Sequence, residues 1–277
     1  MDGTDKTFDF YRPASTDEAI QLHSREGCYF LSGGTFLNQK NCTPKDASTF
    51  IYVKDILPRR ILRGTDTTSD TGTAPQGSDE GIIIGAGATL QDIADSDTLP
   101  KALVTAARFV SSRTIRNMAT IGGSIGANLS YSYIIPVLLA LETKAILANG
   151  HAILIETYIN ENRKDLILEV NIPPQKGKTG VVKESISSSA YPVVSAAAMV
   201  LPNEQTIIAA GCVSDRVIRL STVENMLTEG KLKERKELEQ AVAESISPIA
   251  DNLGSAEYKE YINSVCIADM IQSLSAE

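Results

Sequence analysis

The chain has 277 residues, 43% of them apolar, enough to build one large hydrophobic core or two ordinary ones. With 34 acidic against 26 basic residues the formal charge is −8, which leaves no basic stripe for nucleic acid or anionic lipid. The longest apolar stretch, Ile134 to Leu141, is too short to span a bilayer, and no basic region followed by an apolar run opens the chain; a folded cytoplasmic protein without membrane insertion is expected.

In chain order, Phe8 to Pro13 reads as a strand, followed by a helix capped by Ser15 or Thr16, with Asp17 and Glu18 in its first turn. Cys28 to Leu31 reads as a buried strand running into Ser32-Gly33-Gly34-Thr35, and Phe50 to Val53 as the next strand, together a βαβ-like unit. Between Arg63 and Gly81 a tract of Thr, Ser, Asp and Gly is too polar to bury and predicts a surface loop. Ile82-Ile83-Ile84 followed by Gly85-Ala86-Gly87 imitates a dinucleotide-binding fingerprint. Leu90 stands where the third glycine belongs, and no strand ending in an acidic residue follows at ribose distance, so a tight strand-to-helix turn is the reading.

Ala102 to Val110 has the spacing of a buried helix that ends near Ser111-Ser112. A second glycine loop follows at Thr120-Ile121-Gly122-Gly123-Ser124. Pro136 to Leu141 reads as a buried helix, and Ala145 to Ala148 as a strand that turns at Asn149-Gly150 into Ala152 to Leu154. Leu166 to Ile172, closed by Pro173-Pro174 and the Gln175 to Lys178 stretch, marks the best boundary in the chain. Beyond it, strands at Gly180 to Val182, Val193 to Leu201 and Thr206 to Cys212 precede helices at Thr222 to Leu227 and Leu232 to Ile246, an α+β arrangement.

Paired glycines with a flanking hydroxyl let bare backbone approach a ligand, and the freed N–H groups form a concave anion site. Two such loops from distant parts of one chain can grip one pyrophosphate; the alternative is tight turns at strand ends. Cys28, Cys42, Cys212 and Cys266 are scattered, never Cys-x-x-Cys, so their spacing suggests neither an iron–sulfur cluster nor zinc. His23 and His151 lie in unrelated contexts and are expected as surface or capping residues. Chemistry on so few acid–base groups would belong to a bound cofactor.

Five segments resemble the flavoprotein subunit of the molybdenum hydroxylases, the family of xanthine dehydrogenase and the medium subunit of carbon monoxide dehydrogenase. They are Tyr11-Arg12-Pro13-Ala14-Ser15-Thr16-Asp17-Glu18-Ala19 with the loop Ser32 to Leu37, Ile84 to Thr89, the long and specific Ile115-Arg116-Asn117-Met118-Ala119-Thr120-Ile121-Gly122-Gly123-Ser124-Ile125, and Glu169-Val170-Asn171-Ile172-Pro173. The resemblance covers nearly the whole chain. It implies an α+β fold, with a two-part FAD-binding domain of PCMH-like type over residues 1–175 (parts about 1–56 and 57–175) and a smaller α+β C-terminal domain over 176–277.

The resemblance further implies that FAD is held by Ser32, Gly33, Gly34, Thr35, Phe36, Leu37, Asn117, Thr120, Ile121, Gly122, Gly123, Ser124, Asn128, Tyr133 and Lys183, with no catalytic side chain and no metal ligand. Phe36, Ser124 and Tyr133 stand where the family has Asp, Asn and Asp, and Ser187 to Ala190 replaces a following Arg and Asp. Tyr131, Tyr133 and Asn128 can supply substitute contacts. The implied role is electron transfer from a partner [2Fe–2S] subunit, beside a molybdopterin-binding large subunit, through FAD to an acceptor such as NAD. Two other readings remain: a structural or assembly subunit of the same family that has lost FAD, and a free-standing flavin oxidase.

Overall fold

A computed structural model describes residues 7–39, 42–63, 81–175 and 177–276. The chain begins with β1 (Asp9–Tyr11), α1 (Thr16–His23), β2 (Cys28–Leu31) and β3 (Thr49–Tyr52). Ser15 is the cap of α1: its hydroxyl accepts from the Glu18 amide at 3.2 Å, and Asp17 and Glu18 sit at the positive end of the helix. The three strands form a parallel sheet in the order β1-β3-β2, the expected βαβ unit. It delivers the end of β2, and with it Ser32-Gly33-Gly34, against the backbone of Met118.

The next elements are β4 (Ile61–Arg63), β5 (Ile82–Gly85), α2 (Leu90–Ala94), α3 (Lys101–Phe109), α4 (Arg113–Met118), α5 (Ile121–Ala127), α6 (Ile134–Ala140), β6 (Lys144–Leu147), β7 (Ala152–Leu154), α7 (Ile155–Asn160) and β8 (Ile167–Ile172). Strands β4, β5, β8, β6 and β7 form one antiparallel sheet in that order. Because β5 has only antiparallel neighbours, the Gly85-Ala86-Gly87 turn opens no parallel crossover and is no dinucleotide fingerprint. Both glycines instead pack on backbone, a Cβ at Gly85 falling 2.2 Å and at Gly87 3.0 Å from the Pro58 carbonyl. The predicted polar loop from Arg63 to Gly81 lies, apart from its ends, outside the described residues, and Arg63 itself closes β4.

The second half contains β9 (Lys178–Glu184), β10 (Val194–Val200), β11 (Thr206–Gly211), β12 (Ile218–Arg219), α8 (Ser221–Thr228), α9 (Arg235–Glu244) and α10 (Ala256–Ala276). Its antiparallel sheet, ordered β12-β11-β10-β9, is apolar on both faces. Alternate residues separate as strand geometry requires: Ala196, Ala198, Ile208 and Ala210 join Val242, Ile267 and Ile271 of the helices. Ala197, Met199, Ile207 and Ala209 belong to the core that holds the fully buried α6. Strands β10 and β11 are thus packed between α6 and the C-terminal helices, and the two halves of the chain share one face of one sheet.

Candidate functional site

The end of β2 leads into a turn built on Gly33 and Gly34. Gly34 has φ +67°, the left-handed region that glycine enters without strain. Gly33 is glycine for another reason: a Cβ there would lie 2.0 Å from the Met118 carbonyl oxygen at the end of α4. The chain then makes a single helical turn closed by Asn38 N–H donating to Gly34 O at 3.0 Å and Gln39 N–H to Phe36 O at 2.9 Å. Five consecutive amides, Gly33 through Leu37, find no acceptor among the described residues. Amides inside a protein are almost always paired, with the chain, with water or with a ligand, and a run of free N–H groups in one turn can form an anion site.

The second glycine segment is the start of a helix rather than a loop. Thr120 caps α5, its hydroxyl accepting from Gly123 N–H at 3.2 Å, while Ile121 and Gly122 N–H donate to the carbonyls of Ala88 and Ala86 at 2.9 and 3.0 Å. A Cβ at Gly122 would lie 2.7 Å from that of Ala86, so this glycine permits the close packing of α5 on the 86–88 turn. These first amides of α5 already have partners within the chain, and the free donors come from the first segment. The two segments nevertheless meet, since Thr120 Oγ1 donates to Ser32 Oγ at 3.2 Å.

Both segments line one cleft of about 480 Å³, within the roughly 300–1,000 Å³ of small-molecule sites. Of the residues singled out in the sequence, Ser32, Gly33, Gly34, Thr35, Phe36, Leu37, Thr120, Gly122, Gly123, Ser124 and Tyr133 are in its wall, with Tyr131. Asn117, Ile121, Asn128 and Lys183 are not. Asn117 is exposed on α4 and Ile121 is fully buried. Asn128 closes α5 with φ +45° and donates to Ile159 O at 3.0 Å. Lys183 stands behind the wall, donating to Phe109 O at 3.4 Å and Ser188 O at 3.2 Å, with its ammonium 5.2 Å from the Tyr133 ring centre. Burial holds its pKa below the usual lysine value.

The wall also contains residues that sequence reasoning does not reach. His23, expected at the surface or as a cap, is half-buried and stacks on Phe30, rings 4.1 Å apart and 10° from parallel. Burial lowers its pKa, so the imidazole resists protonation. Phe109 meets Tyr133 edge-on at 5.8 Å, and Tyr131 meets Tyr191 at 4.9 Å. Burial pushes the Tyr133 phenol up to about 12. Among the described residues the one carboxylate in the wall is Asp165, held by Arg163 at 2.8 Å, which keeps its pKa below the usual range. The cleft therefore offers amide donors and flat aromatic surfaces.

The family described as FAD binding domain in molybdopterin dehydrogenase matches residues 6–175. The chain belongs to that family. Its cofactor is FAD, and the chain is an oxidoreductase subunit of molybdenum-hydroxylase type. Uncharacterized protein YgfM of Escherichia coli strain K12 is 34% identical over 263 residues, covering 94% of each chain. Among solved structures, carbon monoxide dehydrogenase from Hydrogenophaga pseudoflava superposes with a TM-score of 0.81 at 19% identity, over 97% of both chains. Reconstituted CO dehydrogenase from Oligotropha carboxidovorans gives 0.80 at 19%, over 98% of both. Quinoline 2-oxidoreductase from Pseudomonas putida 86 gives 0.74 at 17%, over 98% of this chain and 97% of that one. The molybdenum hydroxylase fold thus extends over nearly the full length, including the second half beyond residue 175.

The site's chemistry agrees with the family's cofactor. FAD is a pyrophosphate between two flat ring systems, and the cleft supplies a run of free amides for the anion together with aromatic faces for the rings. Phe36, Ser124, Tyr133 and the Ser188 to Ala190 segment, where this chain departs from the family pattern, all lie in the same wall.

Proposed function

We propose that the chain is the FAD-binding electron-transfer subunit of a molybdopterin-dependent hydroxylase complex, taking electrons from a partner [2Fe–2S] subunit and passing them to an acceptor such as NAD. The observation that carries this reading is the run of five amides, Gly33 to Leu37, that have no acceptor among the described residues and belong to residues lining an aromatic-walled cleft. Those amides hold the pyrophosphate, and Ser32 and Thr120 fix the turn that presents them. Phe36, Leu37, Gly122, Gly123, Ser124 and Tyr133 bound the remainder of the cofactor. Ile121, Asn128 and Lys183 act from behind the wall, and Asn117, exposed on α4, is left without a direct cofactor contact.

Bound FAD supplies the hydride and single-electron chemistry. The chain's own residues bind it, orient it and keep water from its faces. The wall's carboxylate, Asp165, is engaged by Arg163, in keeping with a relay that moves no substrate proton. Substrate oxidation then belongs to the molybdopterin-binding large subunit. The working division of the chain is a cofactor domain over residues 1–175, in parts of about 1–56 and 57–175, and a C-terminal domain over 176–277, in a cytoplasmic complex.

A second reading, a subunit of the same family that has lost FAD and serves assembly, is favoured by Phe36, Ser124 and Tyr133 replacing polar family residues inside the cleft. The visible absorption spectrum of the purified chain, before and after incubation with FAD and gel filtration, separates the two. Retained flavin that dithionite bleaches is expected. A chain that stays colourless even with its partner subunits present would leave the assembly role.

A further inference from the structure

Helix α5 has seven residues and three glycines, at positions 122, 123 and 126. Glycine is among the worst helix formers because it loses the most backbone freedom on ordering, so each needs a reason. Two have one inside the protein. A Cβ at Gly122 would press on Ala86, and one at Gly123 would come within 2.9 Å of the capping hydroxyl of Thr120.

Gly126 has none. It does not have a positive φ, and a Cβ built on it meets no atom within 4 Å. It lies four residues after Gly122 and three after Gly123, and therefore on the same helix face, and all three border the cleft. The protein itself leaves room for a methyl group at this position, facing the space that the flavin reading gives to FAD.

We infer that Gly126 is a contact position for the bound cofactor, kept without a side chain so that FAD packs directly on the backbone of α5. The inference rests on the flavin reading and deepens it. It assigns to one residue the exclusion of protein atoms from the cofactor's path, a steric selection that no hydrogen-bonding group in the wall performs.

The test compares wild type with Gly126→Ala and Gly126→Val, measuring the melting temperature of the flavin-free protein and the affinity for FAD by quenching of flavin fluorescence. Both variants should melt at or above the wild-type temperature without FAD, since the new side chain meets nothing and alanine favours the helix. Affinity should fall on the order of tenfold for Gly126→Val and less for Gly126→Ala, the usual consequence of overfilling a packed site. Wild type and both variants binding FAD equally would overturn the role given to Gly126 and leave the flavin reading intact. Wild type that binds no FAD, even with its partner subunits present, would overturn the flavin reading itself. If Gly126→Val misfolds, the Gly126→Ala pair of measurements decides alone: higher stability with weaker binding supports the role, and unchanged binding overturns it.

Discussion

The hydroxyl of Thr120 donates to the hydroxyl of Ser32 across 3.2 Å, joining residues 88 positions apart. One belongs to the helix cap of α5, the other to the turn after β2. The bond ties the part of the site that presents free amides to the part that packs α5 against the core. Thr120 has two tasks at once, since the same oxygen accepts from Gly123 N–H.

Thr120→Ala removes both. Loss of a threonine cap costs about 1–2 kcal/mol, and the released Ser32 turn should also bind FAD more weakly. Thr120→Ser keeps the hydroxyl and should recover most of each loss. Urea unfolding of the three proteins, read beside FAD titration, checks this; equal stability of the alanine and serine variants would refute the dual role.

Gly33→Ala provides a contrast with Gly126. The added methyl would meet the Met118 carbonyl at 2.0 Å, a backbone atom that cannot swing away. Overpacking of this kind costs about 1–3 kcal/mol or more, and the cost falls on the protein whether or not flavin is present. The melting temperature without FAD should therefore drop. Flavin loss in a Gly33 variant reports a damaged fold and is a poor probe of cofactor contact. A Gly33→Ala chain as stable as wild type would show that the α4 end yields.

Acid should loosen the end of the cleft at His23. Burial, the largest influence, holds its pKa below the ordinary 6.5, with Asp165 acting in the opposite sense and Lys164 in the same one. The unfolded chain takes up a proton as pH falls through that ordinary value while the folded chain does not. The stability due to the neutral, stacked ring is thus complete above about pH 6.5 and is lost as pH falls toward the lower folded value. Thermal melts between about pH 7 and 5 should show a steeper decline for wild type than for His23→Phe, which can keep a ring against Phe30. Parallel declines would place the acid sensitivity elsewhere.

The strands and helices legible in the sequence are those with a clean apolar period or a capping signature, such as the strand before Gly33 and the helix after Ser15. Helix α10 carries no such signature, because its buried face is polar in its first turns: Lys259, Asn263 and Ser264 are buried along with Ile267, Met270 and Ile271. Two of these groups bond to other segments, Lys259 to Ile249 O and Asp251 and the Asn263 amide to Val193 O, while Ser264 donates to Tyr261 O of its own helix, and no periodicity reveals such partners. Helices α4 and α7, of six residues each, are too short to show a period. At the site, the glycine pairs are visible because their chemistry is local. The aromatic wall is not, since Phe30, Phe109, Tyr158 and Tyr191 come from four separate segments that only the tertiary fold assembles.

Tyr191 brings one more consequence. Its hydroxyl donates to Gln39 Oε1 at 3.3 Å and its ring meets Tyr131, so the loop between β9 and β10 closes a wall begun by the turn after β2. A growing chain presents its early segments first, and the residues that shape the amide run emerge long before the tyrosine that completes their enclosure. The enclosure of the amide run is therefore complete only when the loop between β9 and β10, supplied by the second half of the chain, is in place.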